Sequence, residues 1–294
     1  MKNKLIAILM AALAAALCMF LIAGCGGSSD EAAPADDAAA DQAAAPAGDQ
    51  EIIVVSFGTS YPDTRAATIE ATENAIAAAF PEWNVQRAFT AQTVIDKVAK
   101  EEGIEILNFE QAVEAASEAG VKTLVVQPTH LMNGLEYTDV KDALDANAAR
   151  FDKVVLGEPL LTRDEDFAAV AEAMVDVTKQ YDDGQTAIVW MGHGTEADSN
   201  AVYAKMQDVM TEAGHDNYYI GTVEAAPSLD DVMEAIKDKG YTRVVLRDMM
   251  VVCGDHANND MAGDEEDSWK SILTAAGYEV TPVLEGLGQV PEIQ

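Results

Sequence analysis

From Glu51 onward, short runs of β-branched and aliphatic residues alternate with helix-patterned stretches, and this alternation restricts the fold more than any other feature of the 294-residue chain. Extended runs fall near 52–56, 84–89, 123–127, 153–157, 187–191, 218–223, 243–247 and 279–283. Strands separated by helices build βαβ crossovers and therefore a parallel sheet. The clearest helical segment spans about 164–181, where Phe167, Val170, Met174, Val177 and Tyr181 recur at intervals of three and four and form one apolar stripe.

Four strands precede that helix and four follow it, and the two sets begin alike. Ile53-Val54-Val55-Ser56-Phe57-Gly58-Thr59 aligns with Val189-Trp190-Met191-Gly192-His193-Gly194-Thr195 at an offset of 136, and Leu124-Val125-Val126 with Val244-Val245-Leu246 at an offset of 120. The second alignment pairs Gly134 with Gly254 and Glu136 with His256. The expectation is an α/β protein of two similar halves, residues 51–160 and 161–294. Each half carries a four-stranded parallel sheet flanked by helices, and a cleft lies between them. Ligands of open α/β sheets sit at the carboxyl ends of the strands, so the loops that follow the strands are where chemistry is sought.

The N-terminus reads differently. Lys2 and Lys4 precede an apolar run from Leu5 to Ala23 that ends in Leu21-Ile22-Ala23-Gly24-Cys25. This resembles the lipobox of bacterial lipoproteins, which implies a signal peptide over 1–24 and an acylated Cys25; the competing reading is an uncleaved membrane helix. Residues 25–50 then form an Ala/Asp-rich tether without a base or an aromatic residue. An exported protein, held by its lipid on the extracytoplasmic side of the bacterial membrane, is expected. With Cys18 removed and Cys25 acylated only Cys253 remains, so no disulfide can form within one mature chain.

Charge narrows the partners. Acids outnumber bases 51 to 18 for a net charge of −33, which argues against nucleic acid, because duplex recognition depends on neutralising phosphates. A hydrophobic content of 49% supports a packed core despite that charge. The field favours cations.

Several side chains fall at the expected cleft. His193 lies between two glycines that cannot shield it, although a glycine-rich, anion-binding turn would look the same. His256 sits in Gly254-Asp255-His256-Ala257-Asn258-Asn259-Asp260, where Asp255 or Asp260 can hold its second ring nitrogen. Glu136 follows Asn133-Gly134-Leu135 and suits either a ligand role or a helix start favoured by the dipole. His130 and Glu224 end strands on the cleft side, and His215 reads as a turn residue. Two histidines and a carboxylate suit cobalt, nickel, iron or zinc with positions left for exchange. The chain lacks a P-loop and a GxGxxG fingerprint, so no nucleotide is expected, and Ser56 lacks the flanking glycines of a nucleophile elbow.

At these residues the chain resembles the anaerobic cobalt chelatase family of the CbiK type. The motifs are Val54-Val55-Ser56-Phe57-Gly58-Thr59-Ser60-Tyr61, Arg87-Ala88-Phe89-Thr90, Asn133-Gly134-Leu135-Glu136-Tyr137, Met191-Gly192-His193-Gly194, Gly254-Asp255-His256-Ala257-Asn258-Asn259-Asp260-Met261-Ala262 and Asp267-Ser268-Trp269-Lys270. The resemblance implies ATP-independent insertion of Co2+, with Ni2+ or Fe2+ as other substrate metals, into the tetrapyrrole sirohydrochlorin on the route to cobalamin. It implies that His193, His256 and Glu136 bind the metal and carry the catalysis. Ser56, Thr59, Arg87, His130 and Glu224 are the expected substrate contacts. Cytoplasmic members of the family lack a leader and usually continue past the Gly286-Leu287-Gly288 segment into a final helix, whereas this sequence ends at Gln294. A non-enzymatic, exported binder of haem, another tetrapyrrole or a transition metal is the alternative expectation. Sirohydrochlorin is a polycarboxylate, so a local basic patch is needed, with Arg65 and Arg87 as candidates. A homo-oligomer is left open.

Overall fold

The computed structural model describes residues 48–294; the expected leader, Cys25 and all but the end of the tether lie outside the described residues. The first half runs β1 (Gln50–Ser56), α1 (Pro62–Arg65), a π-helical turn (Ala66–Glu70), α2 (Ala71–Ala79), β2 (Asn84–Phe89), α3 (Gln92–Glu102), α4 (Phe109–Glu118), β3 (Thr123–Pro128), α5 (Leu135–Asn147) and β4 (Lys153–Leu156). The second runs α6 (Asp164–Thr178), β5 (Thr186–Gly192), α7 (Ala201–Glu212), β6 (Tyr218–Thr222), α8 (Leu229–Ile236), β7 (Arg243–Asp248), a π-helical turn (Ala257–Met261), α9 (Trp269–Ala275) and β8 (Glu279–Val283).

Two four-stranded parallel sheets result, ordered β2-β1-β3-β4 and β6-β5-β7-β8. The duplication read from the sequence is present in the registers themselves. Both ends of β5 fall 136 residues after those of β1, and both ends of β7 fall 120 after those of β3. The pairing Gln50 with Thr123 in the first sheet accordingly becomes Thr186 with Arg243 in the second.

The central strands are buried on both faces, as expected of parallel sheets covered by helices. Along β5, Ile188 and Trp190 pack towards α6 and α7 with Phe167, Met174, Tyr203 and Met206. The alternate residues Ala187, Val189 and Met191 pack towards α8 and α9 with Val232, Ile236 and Leu273. In the first half Ile53 and Val55 meet Phe109, Val113, Val140 and Leu144 of α4 and α5. The helix expected over 164–181 ends its α-helical part at Thr178, with a 3-10 turn over Lys179–Tyr181. Thr178 Oγ1 donates 2.7 Å to Met174 O and lies 3.0 Å from the Tyr218 hydroxyl, so it satisfies a buried polar group where the helix tightens.

Candidate active site

The carboxyl ends of both sheets open onto one cavity of about 810 Å³, a size in the range that holds drug-sized ligands. Its chemistry starts at Gly192. A Cβ there would lie 2.1 Å from Tyr203 Cε1, so only glycine lets the tyrosine ring pack directly beneath the loop. The Gly194 amide then donates to the Tyr203 hydroxyl at 3.3 Å, and Gly194 takes φ +86°, a left-handed conformation that glycine adopts without strain. Between these two glycines His193 projects into the cavity.

Its Nδ1 lies 2.6 Å from Gly194 O. A carbonyl can only accept, so Nδ1 carries the hydrogen and Nε2 presents a lone pair. The Glu224 amide donates to His193 O at 2.9 Å, which fixes the loop after β6 beside the histidine. His256, entering the second π-helical turn, has Nδ1 2.7 Å from Asp260 Oδ2, and the same logic leaves its Nε2 free. Of the two acids suggested by the sequence, Asp260 therefore holds this imidazole; Asp255 instead accepts a 3.1 Å hydrogen bond from the Tyr61 hydroxyl across the cleft. The two imidazole rings stand edge to face with centroids 4.7 Å apart. Donor atoms of His193, Glu224 and His256 all lie within 4.8 Å of one another, the geometry of a group able to hold one metal ion.

The carboxylate in this group is Glu224, whereas the sequence pointed to Glu136. Glu136 lines the same cavity from the first turn of α5 but is not part of the donor cluster. The repeat places Glu136 at the position equivalent to His256, so the two residues stand at corresponding points of the two halves.

The substrate-contact candidates divide. Thr59 and His130 line the cavity with Glu224. Both ring nitrogens of His130 are buried without a hydrogen-bond partner. Burial pushes this imidazole below its ordinary range, with the Glu136 charge partly opposing. Ser56 is buried at the end of β1 and accepts from the Thr129 hydroxyl at 2.8 Å; it does not line the cavity. Arg87 is corrected too. It lies along β2 in a two-pronged contact with Glu73, Nε to Oε1 2.8 Å and Nη2 to Oε2 2.5 Å, with Glu70 at 3.3 Å. Arg65 is likewise buried, paired with Glu102 and donating to Thr59 O at 3.2 Å. In both cases an arginine taken from water needed a carboxylate, and a neighbouring helix supplied it.

Phe57 marks the other wall. It stands at the position equivalent to His193, lines the cavity and is 53% exposed, unusual for so large an apolar side chain.

Two α/β lobes meeting at such a cleft have the architecture of the chelatase fold. SirB from Bacillus subtilis, solved with Fe3+, aligns with TM-score 0.56 at 16% identity over 83% of this chain and 90% of its own. A multidomain protein of Deinococcus radiodurans, described as structurally similar to chelatases, aligns with TM-score 0.53 at 12% identity over 84% of this chain and 53% of its own. At those identities the likeness concerns the fold.

Sequence likeness reaches further. Residues 50–294 match the family described as cobalt chelatase (CbiK). The sirohydrochlorin cobaltochelatase of Salmonella typhimurium is 37% identical over 243 residues, 83% of this chain and 91% of that protein. The sirohydrochlorin cobaltochelatase CbiKC of Nitratidesulfovibrio vulgaris is 31% identical over 170 residues, 56% of this chain and 59% of that one. The chain belongs to the cobalt chelatase (CbiK) family.

Proposed function

We propose that this protein is a sirohydrochlorin cobaltochelatase, inserting Co2+ into the metal-free macrocycle without a nucleotide. The observation that carries the reading is the pair of imidazoles in the cleft, each with Nδ1 engaged and Nε2 free, clustered with the Glu224 carboxylate. Mixed nitrogen and oxygen donors suit a divalent first-row metal. The substrate ion would be held by His193, His256 and Glu224 on one side of the macrocycle. As the Co–N bonds to the pyrroles form, two pyrrole N–H bonds break, so one Co2+ replaces two protons and charge balances. Each proton needs an acceptor, and the Nε2 atoms of His193 and His256, released by the departing metal, can take one each.

The test mixes the purified full chain, in detergent, with sirohydrochlorin and Co2+, Ni2+ or Fe2+ separately and follows the absorption spectrum. Fast conversion with Co2+ is expected. Tight binding of the macrocycle without metallation by any of the three would mean a carrier rather than an enzyme. Ni2+ and Fe2+ fit the same donor chemistry, and the assay ranks them.

We further propose that the protein is exported and anchored through Cys25. The sequence Leu21-Ile22-Ala23-Gly24-Cys25, after an apolar run with two lysines before it, supports this. Labelled palmitate is expected to enter the wild-type chain and not a Cys25→Ser variant, which should leave the membrane fraction. Equal label in both would sink the anchor.

A further inference from the structure

An anionic macrocycle must enter a protein whose net charge is −33, and the cavity itself carries Glu136, Glu196, Glu224 and Asp255. Arg65 and Arg87 do not help, since both are turned into ion pairs with helical glutamates. Among the described residues, the cavity lining contains a single Lys or Arg, and it is Lys97.

Lys97 lies on α3 with Thr93 and Val94, and the three line the cavity together. Residues four apart share a helix face, so the Thr93 hydroxyl and the Lys97 ammonium are presented side by side. Among the described residues no carboxylate lies within ion-pair distance of Lys97, unlike Arg65, Arg87, Lys205 or Lys270. Its Nζ stands 5.8 Å from the centre of the Tyr61 ring, and the Tyr61 hydroxyl bonds Asp255 of the other half. An aromatic face within that range attracts an ammonium without neutralising it. The side chain is thus held at the cleft with its charge available.

We infer that Lys97 is a specificity-determining residue that pairs with a peripheral carboxylate of the tetrapyrrole and so sets how the macrocycle sits over the metal cluster. The inference rests on the chelatase reading of the cleft. The acid surface does not defeat it, because exposed charges beyond about 8 Å are largely screened at physiological salt whereas a contact pair is not. Local placement, not the sum of charges, decides where the carboxylates settle.

The experiment measures insertion kinetics at saturating Co2+ with sirohydrochlorin varied, for the wild type, Lys97→Gln, Lys97→Glu, Lys97→Arg and Lys100→Gln. Lys100 lies on the same helix and does not line the cavity, so its variant removes the same charge without removing the contact. Lys97→Gln is expected to raise KM for sirohydrochlorin about fivefold, the scale of an exposed ion pair, with a larger rise for Lys97→Glu. Lys97→Arg should restore most of the loss and Lys100→Gln should match the wild type. The effect should fall on KM for the tetrapyrrole rather than on KM for Co2+. An unmoved KM in Lys97→Glu, or equal losses in Lys97→Gln and Lys100→Gln, would overturn the role of Lys97 while leaving the chelatase reading intact. Failure of the wild type to insert any metal would overturn both.

Discussion

His193→Ala and His256→Ala each lower Co2+ insertion by at least about 100-fold, the low end of what a positioned acid or base contributes. The expectation follows from the hydrogen bonds rather than from the presence of two histidines. Gly194 O and Asp260 fix both Nδ1 atoms, so each ring offers one lone pair in one direction, and no side chain in the donor cluster duplicates it. Each substitution leaves one imidazole and one carboxylate, too few donors to hold the ion and accept protons in turn. Both side chains lie in the cavity and outside the hydrophobic core clusters, so stability should fall by no more than about 1.5 kcal/mol, the scale of the hydrogen bond each ring loses. Appearance of the cobalt product spectrum measures the loss, and circular dichroism checks the fold. Wild-type turnover in both variants would remove the mechanism.

Replacing Glu224 gives the second large effect. Glu224→Ala is expected to weaken Co2+ binding by more than about 10-fold, since losing even an outer partner of a metal ligand costs 10-fold or more. Glu136→Ala should weaken Co2+ binding less, because that carboxylate stands apart from the cluster at the start of α5. Isothermal titration of each purified variant with Co2+ separates the two carboxylates. Equal losses would mean that the ion is shared between Glu136 and Glu224, and the three-donor description would fall.

Which carboxylate joins the histidines was the part of the site least legible in the sequence. Strands were readable because β-branched runs and their spacing are local properties, and the offsets of 136 and 120 fell on strand ends. His193 and His256 were readable because glycines and a nearby acid accompany them in the chain. Glu224 carries no comparable sign. It reaches the cluster because its amide bonds His193 O, a contact between two loops that a linear pattern does not encode. Arg65 and Arg87 misled for a related reason: whether an arginine is free depends on which helix packs over it, and Glu102 and Glu73 lie 37 and 14 residues away. Lys97 left the opposite kind of trace. On an amphipathic helix it looks like any solvated lysine, and only the closing of the cleft gives it a distinct place.

The equivalence of Phe57 with His193 has a consequence for any flat guest. A faithfully repeated scaffold would offer the two faces of a disc the same chemistry. Here one wall presents an imidazole and the corresponding point of the other presents a benzene ring, while His256 is matched by Glu136. A flat guest lying between the two halves would therefore meet different chemistry on its two faces, since His193, Glu224 and His256 all belong to the second half. Duplication supplied the jaws, and the divergence of two positions gave them a direction.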